Sequence, residues 1–74
     1  MKAITFRGVE FDSAGKALQH SEAAGGQAIL LDARNFVMTE AEVTRIATAG
    51  VEFAHLVEHE TADGVYRIMT IPVN

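Results

Sequence analysis

The chain of 74 residues reads as a small α+β protein, a mostly antiparallel sheet with two helices in the order β-α-β-β-α-β-β. Three observations carry that reading. Two segments run from a capping residue to a glycine stop, Ser13 to Gly25-Gly26 and Thr39 to Gly50. Apolar runs of strand length flank both of them. Asp63-Gly64 stands between the last two runs as a hairpin signal.

The opening segment alternates, with Ile4 and Phe6 on one side and Ala3, Thr5 and Arg7 on the other, as a half-buried strand does. At Gly8 the parity changes, because Val9 and Phe11 face away from Ile4 and Phe6 unless a bulge absorbs one residue. A kinked strand over residues 2–11 is therefore expected. Asp12 or Ser13 then caps a helix whose stripe, Ala14, Ala17, Leu18, Ser21 and Ala24, is narrow and built of small side chains.

Gln27–Leu31 is apolar on both parities, which suits an interior strand covered on both faces. Asp32–Asn35 reads as a turn and Phe36–Met38 as a short strand pairing back. Thr39–Gly50 is the best-marked helix. Thr39 and Glu42 form a capping box, Met38 and Val43 stand at the positions of a hydrophobic staple, and Val43, Ile46 and Ala47 make the core face.

The last two strands span residues 51–60 and 65–73. A three-residue loop ending in Gly64 as a G1 bulge gathers Phe53, Val57, Met69, Ile71 and Val73 on one face with His55. Leu56, Tyr66 and Ile68 then fall on the other face beside Glu58, Glu60 and Thr70. A two-residue loop would instead set Glu60 opposite Arg67 and scatter the apolar residues. The first register is preferred because it segregates a core face.

A chain of this length builds one hydrophobic core, so residues 1–74 are expected to form a single α+β domain. An apolar share of 49% against 22% charged residues is the profile of a folding chain rather than a disordered one. Such a core leaves only a few kcal/mol of net stability, about what one domain of this size supplies. With no cysteine, neither a disulfide nor a thiolate zinc site adds to it, and self-association becomes the leading supplement. Residues 1–6 lead into no apolar run of signal-peptide length, so a soluble cytoplasmic protein is the expectation.

The net charge of −4 is unevenly spread. Residues 1–16 carry Lys2, Arg7 and Lys16 against Glu10 and Asp12, a net of +1. Residues 40–63 carry Glu40, Glu42, Glu52, Glu58, Glu60 and Asp63 against Arg45, a net of −5. A phosphate backbone needs clustered cations, so only the first half suits nucleic acid.

His55-Leu-Val-Glu58-His59 matches the H-x-x-E-H string of inverted zinc proteases. That chemistry needs a helix, which stacks both imidazoles and the carboxylate on one face. On a strand Glu58 points away from His55 and His59, leaving at most a weak metal site made by the two histidines. Gly25-Gly26 follows a helix and precedes a strand, the reverse of a phosphate loop. With no cysteine and no G-x-S-x-G, nucleophilic catalysis has little to use, so no enzymatic activity, catalytic residue or cofactor is expected.

The element order over residues 3–49, with Ile4-Thr-Phe-Arg7 and with Ala24-Gly25-Gly26 before a strand, resembles the amino-terminal part of the Phd/YefM antitoxins. These are small dimers that repress their own operon. The resemblance implies a DNA-binding regulator using Lys2, Arg7 and Lys16, doubled by the dimer axis. The chain departs from that pattern in its acidic second half and in ending on a hairpin rather than a partner-binding helical tail.

Two helices most simply cover one face of the sheet. Leu56, Tyr66 and Ile68 are then left as an exposed apolar patch, the mark of an interface. The expected function is accordingly a non-enzymatic protein-interaction or homo-oligomerisation module, a homodimer or the binder of another protein. The alternatives are the antitoxin-like regulator and a small metal-binding protein using His55 and His59.

Overall fold

In the computed structural model, residues 5–74 are described. They form β1 (Val9–Phe11), α1 (Ala14–Ala24), β2 (Gln27–Leu31), β3 (Arg34–Met38), α2 (Glu40–Thr48), β4 (Phe53–Glu60) and β5 (Tyr66–Val73). The element order is the expected one. All strands belong to one antiparallel sheet, ordered β1-β3-β2-β4-β5. Residues 2–4 of the expected first strand lie outside the described residues, and only Val9–Phe11 of the remainder pairs.

Both helices start and stop where their caps stand. Ser13 accepts from the Lys16 amide at 3.2 Å, and the Gly25 amide donates to the Ser21 carbonyl at 2.9 Å. Thr39 accepts from the Glu42 amide, and Met38 and Val43 pack in one cluster as a staple should. At the other end of α2 the amides of Gly50 and Val51 donate to the carbonyls of Ala47 and Ile46, the paired bonds of a Schellman motif.

The β2–β3 turn is tighter than expected. Leu31 pairs with Arg34, leaving Asp32 and Ala33 as a two-residue loop with φ of 53° and 63°. Two positive φ values define the type I′ turn that matches strand twist, but Ala33 bears a left-handed cost that glycine avoids. Ala33→Gly is expected to stabilise the fold by about 0.5–1 kcal/mol in urea denaturation.

The helices do not share a face, and this corrects the one-sided arrangement expected from sequence. One cluster joins Ile29, Phe36, Met38 and Phe53 to Val43 and Ile46 of α2. The other joins Ala28, Val37 and Leu56 to Ala17 and Leu18 of α1. Neighbours along one strand, such as Ala28 and Ile29, thus point to opposite faces, and two small clusters, one on each side of the sheet, stand in place of the one core expected.

Topology explains the split. Helix α1 links β1 to β2, and α2 links β3 to β4; each link joins parallel strands and moves two places in the same direction along the sheet. Because β1 and β3 are antiparallel, right-handed crossovers put the two helices on opposite faces. The parity change at Gly8 then needs no bulge: Phe6 packs into the α2 cluster and Phe11 into the α1 cluster.

Candidate functional site

Helical cover ends before the last hairpin does. Strand β4 pairs with β2 only at Ala54 and His55, so Glu58–Glu60 and most of β5 project beyond the three-layered part, in a molecule 44 Å long and 23 Å wide. The hairpin register is the preferred one, with Phe53 opposite Val73 and Glu60 opposite Tyr66. Its loop is Ala62-Asp63-Gly64, closed by the Thr61 amide on the Val65 carbonyl at 2.8 Å. Gly64 takes the G1 position with φ of 77°, which a side chain would strain.

This arm concentrates the apolar surface. Among the described residues six large hydrophobic side chains are exposed, and five of them, Val65, Tyr66, Ile68, Met69 and Ile71, fall in one seven-residue stretch. Ile68 and Tyr66 are 42% and 63% exposed. Of the three residues expected at an interface, these two are at the surface. Leu56 is not: it is 5% exposed, buried against Ala17 and Leu18, because α1 covers the face that had been left open.

Sequence reasoning missed Val65, Met69 and Ile71. The last two share the face of Phe53, which α2 covers only as far as Val73, and their apolar character had marked them as core. The signal that could have found them is length: α2 spans nine residues and cannot reach along an eight-residue hairpin crossing beside it.

The two free margins of the arm differ. The β4 margin carries Glu58 and Glu60, charges that resist pairing with another strand. The β5 margin carries Tyr66, Ile68, Thr70 and Pro72. The Thr61–Val65 bond fixes the alternation, so the peptide groups of Arg67, Met69 and Ile71 point to β4, and those of Tyr66, Ile68, Thr70 and Pro72 point outward. Pro72 therefore sits where its missing N–H costs β4 nothing.

The other candidate groups are not brought together. Residues 53–60 are a strand, so Glu58 faces away from His55 and His59. Four residues of strand also separate the two histidines by about 13 Å, beyond one metal ion's reach. His55 instead packs edge-on against Phe53, with ring centres 5.5 Å apart. No cluster of three or more metal-ligating side chains occurs among the described residues.

Lys2 lies outside the described residues. Arg7 stands beside the start of α2, whereas Lys16, paired with Asp12 at 3.0 Å, is on α1 across the sheet, so the two do not make one basic surface.

A polar cluster at the start of α2 clamps the incoming chain. The Glu42 carboxylate accepts from Arg45 at 2.8 Å and 2.9 Å and from the Arg7 amide at 2.6 Å, while Arg45 also donates to the Thr5 carbonyl. The carboxylate half of the capping box thus holds the incoming chain against α2. The Arg45 guanidinium first, and the Arg7 amide second, depress the Glu42 pKa to about 2.

A carboxylate whose pKa is lowered on folding stabilises the native state above its unfolded value and loses that contribution as pH falls. Stability is expected to decline from about pH 4.5 down to about pH 2. Denaturant midpoints measured across that range should show a shallower acid decline in Glu42→Gln.

Neither a scan of protein-family models nor searches of curated proteins and solved structures found a match to this chain. No helix of the described residues is long and apolar enough to cross a membrane.

Proposed function

We propose that this chain is a non-enzymatic protein-interaction module that works by homo-oligomerisation, with the outer strand of its last hairpin as the contact. One observation carries the reading: the exposed large apolar side chains are gathered on Val65–Ile71 instead of being scattered. Scattered apolar residues are ordinary on a surface, whereas a set gathered along the open edge of a strand invites a partner. The small core supports the same reading, since association buries the area that two short helices leave open.

Sedimentation equilibrium of the native chain and of Ile68→Lys tests it. The native chain should sediment above monomer mass, and the lysine, present in both copies, should raise the dissociation constant about a hundredfold or more, since each copy loses a large apolar contact. A native monomer at every concentration, or an association unchanged by Ile68→Lys, would overturn the proposal.

A further inference from the structure

The geometry points to the partner as a second copy of this chain, its β5 laid antiparallel against the first β5 about a two-fold axis at Ile68, joining the two sheets into one. This inference rests on the homo-oligomerisation reading and adds to it the occupant, the edge and the register.

The free hydrogen-bonding groups select that register. On the outer margin the N–H groups of Tyr66, Ile68 and Thr70 are available, and Pro72 has none. A strand that pairs with its own copy matches residues whose numbers have a constant sum. Centring on Ile68 pairs Ile68 with Ile68 of the second copy, Tyr66 with Thr70, and Thr70 with Tyr66. Every outward N–H then finds a carbonyl. Moving the axis to Thr70 would set Pro72 opposite Ile68 and lose a donor.

Side chains agree with the backbone on both faces. On the α1 face the two Ile68 side chains meet directly, and Tyr66 lies against Thr70 of the second copy, a pairing of aromatic and β-branched residues that sheets favour. On the other face Ile71 meets Val65, and Met69 meets Arg67. No carboxylate of either chain falls on the joined margins, and Arg67, the one charged residue of β5, is opposite methionine rather than another cation.

The rest of the molecule closes the assembly. The β4 margin of the arm is guarded by Glu58 and Glu60, and β1 at the far side of the sheet is only three residues long. Neither offers a comparable strand, so pairing through β5 gives a closed two-fold dimer and not a filament.

The lack of native cysteine makes disulfide trapping clean. Opposed residues of an antiparallel pair sit about 4.5–5.5 Å apart at Cα, within disulfide range. Under mild oxidation Ile68→Cys should cross-link to itself in high yield. Tyr66→Cys and Thr70→Cys should do so poorly alone and well when mixed. Thr70→Pro deletes an outward donor while leaving the β4 bonds intact, and should weaken the dimer about tenfold or more with an unchanged far-ultraviolet dichroism spectrum.

A native chain that associates but gives no cross-link at Ile68, or one stronger at Tyr66 alone, overturns this register and leaves self-association standing. A native chain that is monomeric overturns both. Association undiminished by Thr70→Pro in a folded variant also overturns edge pairing.

Discussion

Leu56→Lys is expected to unfold the chain, not merely to block association. Leu56 is buried between the sheet and α1, in a cluster to which the helix contributes Ala17 and Leu18, with Ala14 packed at its margin. Removing a buried leucine costs about 2–5 kcal/mol, and an ammonium without a partner in its place adds to that. A chain of this length holds only a few kcal/mol in all. Far-ultraviolet dichroism and a urea titration should show a largely unfolded protein, whereas Ile68→Lys keeps a native-like spectrum. Were both variants folded and equally stable, α1 would not cover this face.

Gly26→Ala should bring the second large loss, and Gly25→Ala isolates its cause. Both glycines have φ near +88°, a region where a side chain costs about 1–2 kcal/mol. They differ in their surroundings. A Cβ on Gly25 meets nothing within 4 Å, but one on Gly26 would stand 2.8 Å from the Met38 carbonyl oxygen and 3.1 Å from Val37. That oxygen belongs to the strand end from which α2 starts, so it cannot retreat without disturbing the helix entry. Gly25→Ala is expected to cost about 1 kcal/mol and Gly26→Ala about 3 kcal/mol in denaturant titrations. Equal losses would remove the close approach as an explanation.

Much of this architecture was legible wherever the determining interactions are local. Thr39, Met38, Val43 and Gly50 mark α2 through contacts within a few residues of one another, and the structure uses each as expected. The hairpin register followed in the same way from Gly64 and from the face it segregates. What could not be read locally was the sheet order and which helix covers which face. Both depend on β2 pairing with β4 across an intervening helix, and no residue pattern announces that pairing.

Two features did point to the two-sided sheet. The apolar run of Gln27–Leu31 on both parities implied cover on both faces, and the parity change at Gly8 sends Phe6 and Phe11 to different cores. The narrow stripe of α1 is built of small side chains that let the helix lie close on the sheet, which is enough to bury Leu56. The displaced expectation at Leu56 follows from the place of α1 on that face, and the exposure of Met69 and Ile71 from the short reach of α2 on the other. Glu42 shows a related limit, since its motif specified a bond within α2 while the carboxylate found Arg7, 35 residues away.

Amide hydrogen exchange at Tyr66, Ile68 and Thr70 tests most directly whether the β5 margin is paired with a second copy. These three amides point away from β4 and have no backbone partner among the described residues. A paired margin exchanges slowly at all three in concentrated protein and faster on dilution as the dimer dissociates, while the amides of Arg67 and Met69 stay protected throughout. Exchange at the three positions as fast as at the turn amides of Ala62 and Asp63, at every concentration, would contradict it.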